Sequence, residues 1–429
     1  MHGGTSVDSG LGEVIRKATV KGGLPVYVLP KKGFNKKYAT FATKYGSVDV
    51  RFEIPETGEV LQVPDGIAHF LEHKLFEEEF GNVFDEFARL GASTNAYTTY
   101  TTTTYLFSTT DNFYECLRIL VDFVQRPYFT DENVEKEKSI IEQEIRMYED
   151  MPEVRVGSNL MRALYVRHPV RIDVVGTVES VRRITKEMLY KCYQTFYHPS
   201  NMALFVVGDV DPDRVFDEVA GRVKESKPRT RPITRFFPEE PGAVGEHLVV
   251  QNMVVATPLI EMGFKDPEVG LGGRALLRKE VATRVLLEVL FGRGSEVYAE
   301  LYEEGLLNDK FGSAYEAELE FAASFIGGES REPERLRDRL LGYIRKAKQN
   351  GLDRDAIERA RRKLMGEFVS LFNSPEKLAY RFNAYHFKGI NLFEYLEALR
   401  EVTPEGIEER LNRHFDEERH AVSVIYPIR

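Results

Sequence analysis

The sequence predicts an α+β protein of two homologous domains, each a mostly antiparallel sheet with helices packed on it. Three observations predict this. Two stretches of the second half repeat two stretches of the first. A proline-rich segment separates the halves. Short runs of β-branched and aromatic residues alternate with amphipathic runs of helical length along both.

The repeat is gapless within each stretch. Thr185 falls on Thr403, Glu187 on Glu405, Tyr197 on Phe415 and Ala203 on Ala421. Thr185 and Thr403 each read as a helix N-cap. Upstream, Phe129–Glu144 falls on Leu352–Glu367, where Val134/Ile357 and Ile141/Leu364 keep the seven-residue spacing of one helical face. Pro228, Pro232, Pro238 and Pro241 mark an extended linker. The boundaries are therefore 1–226, a linker 227–246, and 247–429. Strands are expected at Leu24–Leu29, Tyr38–Tyr45, Tyr97–Phe107, Ala203–Val207 and His247–Val255, and a helix at Glu132–Tyr148.

Composition narrows the function. The chain has 429 residues and a formal net charge of −10. That balance argues against a sequence-independent nucleic-acid or anionic-membrane binder. No apolar run reaches the roughly 18 residues of a membrane span, and the first ten residues do not read as a secretory signal. Cys116 and Cys192 are too few for a disulfide framework and read as buried thiols, which predicts a cytoplasmic protein.

The chemistry concentrates in Gly66-Ile-Ala-His69-Phe-Leu-Glu72-His73. On a helix, His69 and His73 share a face one turn apart and can hold one ion. Glu72 can reach a metal-bound water without binding the metal. This His-x-x-Glu-His order inverts the commoner zinc-protease motif. A zinc hydrolase needs a third ligand; Glu144 is the candidate, and Glu137, two turns earlier, can orient a ligand. The second half carries Val285, Glu288 and Val289 at the places of His69, Glu72 and His73, so it should bind no metal. His198, His247, His386, His414 and His420 have no ligand-spaced partner, and His168 reads as either a cleft or a structural loop residue.

With Asn95-Ala-Tyr-Thr98, His168-Pro169, Gly176-Thr177 and Tyr197–Gly208 added, the chain resembles the insulinase/pitrilysin family of inverse-zincin metallopeptidases. It looks closest to the half-length bacterial subunits related to mitochondrial processing peptidase. The resemblance implies Zn2+ held by His69, His73 and Glu144, with Glu72 as general base and Glu137 as the second carboxylate of the catalytic set. It implies that the strand carrying Thr94, Asn95, Ala96 and Tyr97 binds a peptide or unfolded polypeptide by strand addition, inside a chamber formed by two chains. Active relatives carry an Arg and a Tyr in a second-half segment. The matching Leu301–Asn308 is one residue short, with Tyr302 and Asn308 at those positions; Arg293 and Tyr298 are nearby but out of register. The resemblance then implies a metal-bearing subunit of a heterodimer with a homologous chain. A homodimer is the simpler arrangement, and a non-catalytic scaffold or peptide-binding subunit is the rival class.

Overall fold

The computed structural model describes residues 5–8, 12–79, 81–227, 229 and 231–428. Pro228 of the expected linker lies outside them. The chain forms two compact α+β units.

The first unit is built on a seven-stranded sheet. Its strands are β1 (Thr5–Asp8), β2 (Val14–Thr19), β3 (Pro25–Pro30), β4 (Lys37–Thr43), β5 (Ser93–Thr98), β6 (Thr103–Thr109) and β7 (Met202–Gly208), in the order β1-β2-β3-β7-β4-β6-β5. Only β3 and β7 run parallel; every other neighbour is antiparallel. The second unit holds β8 (Leu248–Met253), β9 (Leu259–Lys265), β10 (Gly312–Ala317), β11 (Ala322–Glu329) and β12 (His420–Pro427), in the order β8-β12-β9-β11-β10. Here β8 and β12 are the parallel pair. The last five strands of the first sheet and all five of the second thus share one topology, as the sequence repeat requires.

The helices needed here are α1 (Ile67–Leu75), α2 (Asp131–Glu149), α3 (Pro152–Leu164), α4 (Gly273–Phe291), α5 (Arg354–Leu371) and α6 (Pro375–His386). The equivalent positions Val134, Ile141, Ile357 and Leu364 are all buried. The side chains of Thr185 and Thr403 accept hydrogen bonds from the amides of Met188 and Gly406, so both cap their helices.

The units are discontinuous in sequence. The first takes residues up to 145, 173–237 and 371–387; the second takes 146–172, 238–370 and 388–429. The cut at 237/238 falls inside the proline-rich stretch, but each half gives one helical segment to the other unit. Helix α3 packs on β9 and β12, and α6 packs on β4 and β7. Periodicity shows that a helix has an apolar face, not which sheet that face meets.

One strand expectation is corrected. Tyr97–Phe107 is not a single strand: β5 and β6 form an antiparallel hairpin through residues 99–102. No Gly, Pro, Asn or Asp marks the turn. It closes through threonines, with the Thr99 amide donating to the Thr102 carbonyl at 2.7 Å and the two hydroxyls 2.9 Å apart. The turn makes β5 the edge of the sheet. Cys116 and Cys192 are buried and not bonded to each other. Among the described residues no helix is long and apolar enough to cross a membrane.

Candidate metal centre

Helix α1 starts at a backbone position only glycine fits. Gly66, its N-cap, has φ 84°, and a Cβ there would lie 2.5 Å from the Val175 carbonyl oxygen. Gly176 faces it with φ 79°, where a Cβ would lie 2.6 Å from the Asp65 carbonyl oxygen. The two glycines let the loop at 175–176 close over the start of α1.

The next two turns build the site. His69 (8% exposed) and His73 project from α1 toward Glu144 on α2. His69 Nε2 lies 3.7 Å from one Glu144 oxygen and His73 Nε2 lies 3.5 Å from the other. One ligand atom from each of these residues lies within 4.8 Å of the others. Tetrahedral ligands about 2.0–2.1 Å from zinc stand about 3.4 Å apart, so the arrangement needs little closing to grip the ion. Glu144 Oε2 and His69 Nδ1 are buried without a hydrogen-bond partner. Two imidazoles and a carboxylate with one buried oxygen lacking a hydrogen-bond partner fit a small divalent cation.

The surroundings set the protonation states. Burial, reinforced by nearby His73, depresses the His69 pKa to about 3 and keeps that imidazole neutral, as a ligand must be. Burial also works against charging His73, but the hydrogen bond to Glu137 and the charges of Glu72, Glu137 and Glu144 outweigh it and raise its pKa. His73 Nδ1 lies 3.0 Å from Glu137 Oε1, which leaves Nε2 facing Glu144. Glu137 is held below the ordinary carboxylate range: burial opposes its ionisation, and the bond to His73 and the Lys74 ammonium prevail.

Glu72 is buried, and burial lifts its pKa to about 7 against the opposing hydrogen bond from Thr98. Thr98 Oγ1, at the end of β5, donates to Glu72 Oε2 at 2.6 Å. The geometry leaves a carboxylate of tuned basicity beside His69 and His73, tethered to the edge strand.

Two of these contacts were not foreseen from sequence. In the sequence Thr98 ends the expected substrate-binding strand, with nothing to join it to Glu72. Lys74 directly follows the motif; it is fully buried, and its ammonium pairs with Glu77 and lies 3.5 Å from Glu137 Oε2. A lysine inside an apolar helix face was the available signal, because such a charge is buried only when paired. The expected substrate-binding residues Thr94, Asn95, Ala96 and Tyr97 all lie on β5, at the sheet edge. Thr94 Oγ1 donates to the Leu106 carbonyl, and Asn95 Oδ1 accepts from the Ala96 amide.

The second unit answers the same positions differently. On α4, Glu288 aligns with Glu72 and accepts from Lys363 Nζ at 2.7 Å; that ammonium lies 3.8 Å from Glu367, the residue aligned with Glu144. A lysine cation thus bridges the two carboxylates, and valines replace the histidines. Two further histidines among the described residues are held by hydrogen bonds away from this cluster. His168 Nδ1 accepts from the Val170 amide, and burial depresses its pKa to about 4. His414 is fully buried beside Ser324 and Arg410. Of the second-half residues near the expected Arg/Tyr segment, Arg293 donates to the Asp309 carbonyl, Asn308 donates to Glu329, Tyr298 is buried, and Tyr302 is 50% exposed.

Residues 57–178 match the model for "Insulinase (Peptidase family M16)", and residues 183–364 match "Peptidase M16 inactive domain". The chain is 43% identical over 418 residues, 97% of each chain, to YmfH of Bacillus subtilis, described as an uncharacterized zinc protease. A crystal structure of an M16-like peptidase from Alicyclobacillus acidocaldarius superposes with a TM-score of 0.94 at 38% identity, over 99% of this chain and 100% of that one. Pitrilysin shares the fold with a TM-score of 0.75 at 13% identity, over 99% of this chain but 47% of its own.

Proposed function

The chain belongs to the insulinase family of peptidases, M16, and on that premise we propose that it is a zinc-dependent endopeptidase subunit acting on peptides or unfolded polypeptides. The observation that carries this is the convergence of His69 and His73 on Glu144, with Glu72 beside them and held by Thr98.

His69, His73 and Glu144 would hold the metal. Bound there, zinc would supply Lewis-acid polarisation of the scissile carbonyl and an acidified water. Glu137 orients His73 through Nδ1, and the bond to His73, with Lys74 behind it, keeps Glu137 ionised. Glu72 takes the proton of the attacking water and passes it to the leaving amine; Thr98 fixes one of its oxygens. Strand β5 presents backbone groups at the sheet edge, where an extended peptide can add as a further strand through Thr94, Asn95, Ala96 and Tyr97.

In this reading the catalytic unit needs a homologous partner that brings an Arg and a Tyr, since Tyr302 and Asn308 stand at those positions here. The half-length match to pitrilysin supports it. A homodimer of this chain is the simpler form. Two unpaired thiols and no membrane-spanning helix among the described residues are compatible with a cytoplasmic site of action. A second reading, a non-catalytic peptide-binding subunit, is favoured by one observation: Arg293 and Asn308 are already engaged inside their own unit.

The test is to quantify bound zinc and follow cleavage of a quenched fluorescent peptide, with and without Glu72→Gln. Near-stoichiometric zinc with cleavage abolished by the substitution supports a self-sufficient peptidase. Zinc without cleavage directs the search to a partner. Failure to load zinc sinks the metallopeptidase reading.

A further inference from the structure

A second feature of the first unit lies along the edge strand. Helix α6 and the sheet enclose a groove of about 710 Å3, bordered by Ser93, Asn95 and Tyr97 of β5. The strand presents two faces. Thr98 bonds Glu72 on α1, whereas the neighbouring Tyr97 ring lies 5.5 Å from the Tyr380 ring on α6. Successive side chains of a strand point to opposite faces, and a strand paired with it alternates in the same way. A peptide added to β5 therefore sends every second side chain toward the α6 groove, on the face away from Glu72.

The groove has a distinct charge. Lys36, Lys377 and Arg381 line it, against the single carboxylate of Glu376. Lys36 and Glu376 lie 3.9 Å apart, and both are more than half exposed, so that pair is weak. Arg381 packs its guanidinium 5.4 Å from the Tyr385 ring centroid, which steadies it at the groove. Hydroxyl-bearing Tyr38, Ser93 and Ser108 line the same space. A formal surplus of two positive charges, in a chain of net charge −10, sits beside hydroxyl groups able to donate.

We propose that this groove receives alternate side chains of the substrate strand and selects acidic ones, with Lys377 and Arg381 as the specificity-determining residues. This rests on reading β5 as the peptide-binding edge. A basic side chain at those positions meets like charge; an aspartate or glutamate meets two cations and hydroxyl donors.

The test walks Glu, Gln and Lys through each position of one quenched fluorescent peptide. Cleavage is read with the zinc-loaded chain, and binding is read by fluorescence anisotropy with zinc-loaded Glu72→Gln. The expected result is a preference for Glu over Lys of roughly fivefold, confined to every second position. Lys377→Glu, at an exposed position of α6, brings the groove to no net charge and is expected to abolish the preference; Arg381→Gln is expected to weaken it. Cleavage or binding without charge preference, or a preference that Lys377→Glu leaves intact, overturns the proposal and leaves the peptidase reading standing. Alternating acidic preference in binding without any cleavage supports the groove and counts against self-sufficient catalysis. Neither binding nor cleavage overturns both.

Discussion

At the scale of single residues, the site is a set of charges whose states are fixed by burial and by one another. Glu72 shows this most directly. Its pKa in the folded, metal-free protein is lifted from 4.5 to about 7, chiefly by burial. The folded state therefore keeps a proton that the unfolded state loses, so this group's contribution to stability falls as pH rises from about 4.5 to about 7. Glu72→Gln removes that loss. Thermal unfolding of chelator-treated protein across this range should show the variant gaining on the wild type as pH rises; parallel curves would contradict it. Glu137→Gln should weaken zinc binding roughly 10- to 100-fold in chelator competition, because it removes the carboxylate that orients His73. The histidine and Glu72 positions were legible from spacing along one helix. The roles of Thr98 and Lys74 were not, since Thr98 reaches Glu72 of α1 from β5 and Lys74 of α1 reaches Glu137 on α2.

At the scale of elements, the start of α1 depends on two facing glycines. Gly66→Ala puts a side chain on a backbone at φ 84° and 2.5 Å from the Val175 carbonyl oxygen. It should cost about 1–3 kcal/mol from the backbone alone and weaken zinc binding by displacing His69 and His73 together. Denaturant unfolding and zinc titration check the two effects separately. Helix α3 makes the complementary case in the second unit. Leu160 is fully buried where α3 packs on β9 and β12, and Leu160→Ala should cost about 2–5 kcal/mol in chemical denaturation. The N-caps at Thr185 and Thr403 and the buried stripe of α2 and α5 were legible because each signal lies within a few residues of chain. The β5–β6 hairpin was not, because its turn is closed by threonine hydrogen bonds in place of glycine or proline.

At the scale of the whole molecule, each unit is completed by a helix from the other half of the sequence. Helix α6 covers the first sheet: the Phe382 ring stacks on Phe205 at 4.2 Å and lies 4.9 Å from Tyr27, and Asn383 bonds Thr40. Residues 1–226 expressed alone leave that face bare. They are expected to unfold without a cooperative transition and to regain one when a peptide spanning 371–387 is supplied. A fully cooperative fragment without the peptide would show that α6 is dispensable to the first unit.

What the sequence determined by itself was everything carried by local spacing: the duplicated α+β pattern, the His-x-x-Glu-His helix, the carboxylates of α2, and the loss of histidines in the second copy. Such signals survive in sequence because a helix or strand places residues a few positions apart at set distances. The tertiary structure alone decided which sheet each helix covers, that Thr98 tethers Glu72, that Lys74 supports Glu137, that Lys363 bridges the carboxylates of the second copy, and that α6 walls a basic groove beside the edge strand. Apart from the Lys363–Glu367 pair within α5, these contacts join residues from about two dozen to hundreds of positions apart, and their partners are chosen by packing, which leaves no periodic trace in the chain.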